Sequence, residues 1–272
     1  MSDSQSRKVI LITGASSGIG EALAIKASLQ NYNISLMARN IEKLQVVASI
    51  CRQNGAEVLC IQGDVSKENE CKQAVEKTIQ TFKRLDVLIN NAGISMRALL
   101  VDCEVEVIER VMQVNFFGTV YCTKYALPHL LKSKGSVVGI SSIAGVKGLP
   151  ARTGYSASKF AMHGFLESLR IENLKTGLHV LLACPGYTAS NIRNAALNQS
   201  GQNQTESPLD ESKLMTAEEV ATHILLAVHK RKRYLYLTFQ GKLVVFLSKF
   251  FSKLLDKMVY NTVAKEKDSP FK

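Results

Sequence analysis

The 272-residue chain is 46% apolar and carries a formal net charge of +11, which suits one sizeable α/β domain with a packed core and excludes a disordered chain. Its six cysteines, at 51, 60, 71, 103, 122 and 184, form no CxxC pair and share no metal-ligand spacing with histidine. Reduced, mostly buried thiols are therefore expected, with neither a disulfide framework nor a metal site. Part of the basic excess lies in Lys230–Arg233 and in the lysines from 242 to 267. It suits an anionic cofactor or an anionic membrane; with no nucleic-acid motif beside it, nucleic acid is not expected as a partner. The polar stretch Met1–Lys8 lacks the apolar centre of a secretory signal. No apolar run reaches the roughly 18 residues of an ordinary transmembrane helix. The expectation is a cytoplasmic protein, either free or held on the cytoplasmic face of a membrane.

Along the chain, apolar β-branched runs alternate with helical spacing. Lys8–Thr13 reads as a strand, Gly18 to about Gln30 as a helix, Ile34–Ala38 as a strand, and a helix follows to about Asn54. Glu57–Gln62, Lys67–Lys83 and Asp86–Ile89 continue as strand, helix and strand. A long helix from about Asp102 to Leu131, bent near Gly118, comes next. Then follow strand Ser136–Ile140, helix Gly154–Lys175, strand His179–Ala183, helix Ala217–Lys230 and strand Tyr234–Thr238. This alternation predicts an α/β fold: a doubly wound, Rossmann-type parallel sheet of about seven strands with helices on both faces. The single domain spans 1–240, and an amphipathic basic extension spans 241–272. The polar segment 189–213 interrupts the rhythm and reads as a functional lid or a disordered loop.

Three stretches carry candidate chemistry. Thr13-Gly14-Ala15-Ser16-Ser17-Gly18-Ile19-Gly20 follows the first strand and opens the first helix. Backbone N–H groups at a helix N-terminus bind an anion, and glycine lets a pyrophosphate come close; the plainer alternative is a tight strand-to-helix turn. The second strand ends Leu36-Met37-Ala38-Arg39-Asn40, where a carboxylate would hold a ribose 2′-hydroxyl. Arg39 can instead grip a 2′-phosphate, which favours NADP(H); the alternative is a solvated loop charge. Tyr155 and Lys159 stand four apart at the start of a helix and share a face. A cation beside a phenol favours the phenolate, which makes an acid–base group usable near neutral pH.

Thr13–Gly20, Asn90-Asn91-Ala92-Gly93, Ser141-Ser142 and Tyr155–Lys159 occur in this order and at fitting distances. Together they resemble the short-chain dehydrogenase/reductase family, in its group with the TGxxxGxG and YxxxK signatures, strongly over about residues 7–190. The resemblance implies that Tyr155 is the general acid in reduction and the general base in oxidation, with Lys159 lowering its pKa and bonding the nicotinamide ribose. It makes Ser142, or the adjacent Ser141, the group that holds the substrate oxygen. Asn115 would position a water in the proton relay; a structural role at a helix irregularity is the alternative. The implied NADP(H) contacts are Gly14, Ser16, Ser17, Gly18, Ile19 and Gly20 at the phosphates, and Asp64 and Val65 at the adenine. Asn91, Ala92 and Gly93 would line the cofactor, and Pro185, Gly186 and Thr188 would meet the nicotinamide. Asp64 also reads as a helix cap.

The substrate pocket is expected beyond the carboxyl ends of the strands. Its expected walls are Ile94–Leu100 and Gly148–Thr153, which hold Met96, Leu99, Leu100, Leu149 and Pro150, together with segment 189–213. Such walls suit a hydrophobic ketone or alcohol, of a lipid, steroid or retinoid-like kind. Gly241–Tyr260 reads as one amphipathic helix with a stripe of Lys249, Lys253 and Lys257. It would lie in a membrane interface or dock on the domain or on a partner subunit. Family resemblance also implies a homo-oligomer. The rival readings are a non-catalytic NADP-binding sensor or scaffold and a membrane-surface adaptor; the intact Asn115, Ser142, Tyr155 and Lys159 favour the enzyme.

Overall fold

The protein is described by a computed structural model covering residues 7–186, 188, 192, 195–204, 214–265 and 269–271. Seven strands form one parallel sheet in the order β3-β2-β1-β4-β5-β6-β7. They are β1 (Lys8–Thr13), β2 (Tyr32–Ala38), β3 (Val58–Gln62), β4 (Val87–Asn90), β5 (Ser136–Ile140), β6 (His179–Cys184) and β7 (Tyr234–Tyr236). The order reverses direction between β1 and β4, the switch point where such sheets open a ligand crevice.

Period-2 alternation explains the two main cores. Ile10 and Ile12 of β1 face one side with α1 (Gly18–Ser28), α2 (Ile41–Gln53) and α7 (Ala217–His229). Val9 and Leu11 face the other with α3 (Glu68–Phe82), α5 (Gly118–Ser133) and α6 (Thr153–Glu172). A strand covered on both faces must be apolar through its buried stretch, as Val9–Ile12 is. Each fully buried Leu or Ile here stabilises the fold by roughly 1.5–3 kcal/mol. A third, smaller core forms outside the sheet from Met96, Ala98, Val107, Val111, Ala144, Tyr155 and Leu197.

Two expectations need correction. The long helix begins at Val105, not Asp102, and is not one element. It consists of α4 (Val105–Met112), a π turn (Gln113–Phe117) and α5. Gly118 N–H reaches back to Gln113 O, an i→i+5 bond, so the interruption lies just before the expected bend. The C-terminal segment is likewise two helices, α8 (Phe239–Phe250) and α9 (Ser252–Ala264). The backbone breaks at Phe251, with φ −133° and ψ 49°. The break turns Leu255, 2% exposed, inward while Phe250 and Phe251 face out. β7 stops at Tyr236 because Thr238 caps α8, its Oγ1 accepting from Gly241 N–H at 3.0 Å. Helix α8 thus starts two residues before the expected Gly241. Among the described residues, no helix is long and apolar enough to cross a membrane.

Candidate active site

The cofactor end is built by tying the β1 loop to the β4 loop. Thr13 Oγ1 accepts from the N–H groups of Asn91 and Ala92, each at 3.1 Å. Asn91 Nδ2 donates to Thr13 O at 2.9 Å and Gly14 O at 3.1 Å. Gly14 has φ +63°, and a Cβ there would lie 2.8 Å from Ala92 Cα; only glycine fits both the conformation and the space. Ser17 caps α1 by position but makes no side-chain capping bond, which leaves first-turn N–H groups for an anion. Gly14, Ser16, Ser17, Gly18 and Ile19 line a cavity of about 1190 Å³. Gly20 does not line it: a Cβ there would strike Gly14 O at 2.3 Å, so this glycine packs the turn.

Arg39 lies on the rim of the same cavity with Asn40 and Lys43. Asn40 Oδ1 accepts from Lys43 N–H at 2.8 Å and so caps α2. Lys43 stands four residues from Arg39, a helical spacing that is the sequence signal for this second cation. Asp64 and Val65 line the next stretch. Asp64 Oδ1 accepts from Ser66 N–H at 2.9 Å and Ser66 Oγ at 2.8 Å. This is an Asx turn ahead of α3, whose N-cap is Lys67; Asp64 is not that cap. Ala92, Gly93, Pro185, Gly186 and Thr188 complete this half, with Asn91.

At the centre, Tyr155 is 8% exposed and Lys159 is 3% exposed. Lys159 Nζ lies 5.7 Å from the Tyr155 ring centroid and donates to Ile140 O at 2.9 Å. Burial lowers the Lys159 ammonium from 10.5 to about 8, with the Cys184 thiol opposing the shift. Burial also pushes Cys184 up to about 12, so this thiol is a packing group. Ser142 and Ser141 both line the cavity, and their bonds separate them. Ser141 Oγ is bonded to His163 Nε2 at 2.8 Å, whereas Ser142 Oγ only accepts from Ala144 N–H at 3.2 Å. The Ser142 proton therefore remains available to a substrate oxygen.

Asn115 is fully buried in the π turn and is not among the cavity-lining residues. Its Oδ1 accepts from Ile94 N–H at 2.8 Å, and its Nδ2 donates to Ile94 O and Ser158 Oγ, each at 2.9 Å. Both amide hydrogens are used, so the structural role weighed for this residue is present. It locks the segment after β4 to α6, behind Gly93. A Cβ on Gly93 would lie 3.2 Å from Asn115 Oδ1 and 3.6 Å from Lys159 Nζ.

The substrate end differs from expectation in which residues reach the space. Leu149 and Pro150 line it, but so do Ile94, Ser95, Arg97 and Arg152. Met96 is fully buried in the third core, and Leu100 is 61% exposed to solvent; Leu99 is not among the lining residues either. Ser95 and Arg97, on either side of the inward-facing Met96, reach the cavity by the alternation of an extended segment, and Ile94 joins them. Ile192 and Ala195 represent the 189–213 segment in the lining; 187, 189–191, 193–194 and 205–213 lie outside the described residues. The remaining wall was not foreseen. Leu243, Val244 and Leu247 of α8, with Leu255, Met258 and Val259 of α9, close the cavity. A Cβ on Gly186 would meet Thr238 Cγ2 at 2.6 Å, so the start of α8 packs on the turn after β6. Lys147 pairs with Asp256 of α9. Hydrophobic patterning marked the apolar face of this segment but does not say what covers it.

Comparison with known proteins agrees with this arrangement. The family profile described as short chain dehydrogenase matches residues 8–201. The chain is 40% identical over 219 residues to the 11-beta-hydroxysteroid dehydrogenase-like 4A protein of Arabidopsis thaliana, covering 80% of this chain and 73% of that one. A short chain dehydrogenase/reductase from Burkholderia phymatum, solved in complex with NAD, superposes with a TM-score of 0.82 at 24% identity. It covers 92% of this chain and 95% of that one, and is a likeness of fold. An alcohol dehydrogenase from the archaeon Thermococcus sibiricus, solved with 5-hydroxy-NADP, gives a TM-score of 0.73 at 26% identity, covering 85% and 94%.

Proposed function

The chain belongs to the short-chain dehydrogenase/reductase family, and from that premise we propose that this oxidoreductase interconverts a carbonyl and an alcohol on a hydrophobic substrate, using NADP(H). The observation that carries the reading is the meeting of two unlike halves at one tyrosine. A glycine cradle ending in Arg39 and Lys43 runs into an apolar-walled space, with Tyr155, Lys159 and Ser142 at the junction. The cradle fits a phosphorylated dinucleotide. Its helix N-terminus has no side-chain cap, Gly14 admits close approach, and its far end is cationic.

Bound there, nicotinamide would supply or accept the hydride. The chain does the rest. Ser142 Oγ would donate to the substrate oxygen. Tyr155 would give its proton to that oxygen in reduction and recover it in oxidation. Lys159, fixed by Ile140 O, would place positive charge beside the phenol and favour its ionised form. Asn115 and Ser158 hold the two walls of this centre in register. The name of the plant relative and the NADP analogue in the archaeal structure support a steroid-like or lipidic carbonyl and the phosphorylated cofactor.

The outer face of α8 and α9 supports a lipid surface as the source of such a substrate. Phe246, Phe250, Phe251 and Leu254 are 53–68% exposed, and Lys242, Lys253 and Lys257 are exposed beside them. Aromatic side chains with flanking lysines suit an anionic interface.

The test is fluorescence titration of NADPH against NADH, followed by NADPH-dependent reduction of a panel of hydrophobic ketones by wild type and Tyr155→Phe. Preference for NADPH and turnover that vanishes in the variant are expected. NADH preference would overturn the cofactor reading. Loss of nothing in the variant would favour a scaffold.

A further inference from the structure

The substrate end of the cavity is apolar in its walls but cationic at its rim. Three arginines line it: Arg97 after β4, Arg110 on α4 and Arg152 just before α6. They are far apart in sequence and are brought together by main-chain bonds around the third core. Ala98 N–H donates to Ala151 O at 2.9 Å, which joins the Arg97 segment to the Arg152 segment. Arg97 N–H donates to Leu197 O at 2.8 Å, and Arg110 Nη1 reaches Gly201 O at 3.4 Å. All three therefore converge where the 94–98, 149–152 and 197–204 segments meet.

Two of the three have little to hold. Among the described residues, neither Arg110 nor Arg152 has an ion-pair partner within 4.0 Å. Among the described residues, Arg110, which is exposed, makes only the long bond to Gly201 O, and Arg152, which is half-buried, forms no side-chain bond. A guanidinium partly withdrawn from water without a partner, as at Arg152, is costly, and a planar anion repays it with paired, charge-assisted bonds, to which the solvent-facing Arg110 adds a second cation. The backbone supports the placement: Ala151, a buried non-glycine residue, is held at φ +56° immediately before Arg152. Left-handed alanine persists only where the surroundings over-determine it, and such residues cluster at ligand sites. Arg39 and Lys43, at the opposite end, answer the cofactor; Arg110 and Arg152 are surplus to it.

We propose that the physiological substrate is an amphiphile with an apolar body and an anionic group, carboxylate or phosphate, and that Arg152 and Arg110 bind that group. This rests on the oxidoreductase reading above and narrows its substrate class. The apolar body lies along Leu149, Leu243, Leu247 and Val259, with the carbonyl at Tyr155 and the anion at the arginine rim. A neutral ketone of equal size leaves both guanidinium groups unanswered and binds more weakly.

The test uses the full chain saturated with NADPH, so that anionic probes do not compete for the cofactor's phosphate sites. Laurate, dodecyl phosphate and dodecanol are titrated by displacement of a fluorescent apolar probe. At least one anionic probe should bind roughly tenfold tighter than dodecanol. That advantage should fall below about threefold in Arg110→Gln/Arg152→Gln and recover in part in Arg152→Lys. NADPH affinity, measured in the same preparations, reports folding and the cofactor reading separately. Saturable NADPH binding with dodecanol equal to both anions, or an anion advantage that survives the double variant, would overturn the proposal. Absence of NADPH binding would instead break the reading beneath it. Tighter binding of laurate than of dodecyl phosphate, or the reverse, identifies the anion.

Discussion

The two ends of the cavity are built by different means. The cofactor end sits on strand termini of β1, β2, β3 and β4, backed by both main cores, and joins local turns, the Gly14 loop, the Asn40 cap and the Asp64 Asx turn, to one tie between strands, Thr13 to Asn91. The substrate end sits on the small third core and on α8 and α9, whose attachment is thin: Leu255, the Lys147–Asp256 pair and Thr238 against Gly186. A common ligand is met by rigid backbone, whereas a particular one is met by segments that can be exchanged without disturbing the sheet. Stability and specificity are thereby assigned to separate parts of the molecule.

The sharpest break between the halves is Tyr155→Phe. Turnover should fall by about 10²–10⁴-fold with cofactor affinity retained, measured by NADPH oxidation alongside fluorescence titration. Arg39→Asp acts on the other half. It should weaken NADPH by roughly 10–100-fold, the loss of charge-assisted phosphate bonds, and leave NADH little changed. Equal losses for both coenzymes would place Arg39 outside the site.

Lys159 links the halves through pH. It is buried and held near 8, against 10.5 in an unfolded chain. Between those values the unfolded chain holds a proton that the folded chain lacks, so this group makes stability rise with pH in that window; its full cost is present below about pH 8. Lys159→Met should therefore stabilise the fold at pH 7 by roughly 1–3 kcal/mol, after the lost bond to Ile140 O is set against it. The advantage over wild type should shrink between pH 8 and 10.5 in urea unfolding. A variant less stable than wild type at pH 7 would contradict the burial argument.

Smaller effects sharpen the comparison further. Leu255→Ala should loosen α9, by at most about 2–5 kcal/mol locally. Amide exchange should then rise in α9 while β1 and β4 remain protected and NADPH affinity holds. Replacing Phe246 and Phe250 by Ser should reduce sedimentation with anionic vesicles severalfold and leave soluble-ketone turnover unchanged. Unaltered vesicle binding would remove the lipid face from the reading.

What could be read in advance follows the same division. The sheet, the glycine loop, Arg39 and the Tyr155–Lys159 pair are local patterns, and local patterns survive in a sequence. The apolar face of α8 and α9 was also visible, but its partner was not, because burial against a cavity and burial against lipid leave the same periodicity. Arg97, Arg110 and Arg152 lie on segments joined by long-range bonds and by the packing of the third core, so no spacing connects them. Asn115 shows a further limit. Its position was marked, yet its bonds to Ile94 and Ser158 depend on a π turn that helix spacing does not announce.

That π turn sets a phase. One residue beyond the ordinary helical repeat is accommodated between α4 and α5, and each residue of an α-helix advances about 100° around the axis. With the insertion, Val107 and Val111 of α4 join the third core while Cys122 and Ala126 of α5 join the core beneath the sheet. Deleting a single residue within 113–117 would restore an unbroken spiral and leave both halves facing their cores, because the i→i+5 turn already takes up the rotation of its extra residue. The deletion would instead remove the bulge from which Asn115 reaches Ile94 and Ser158.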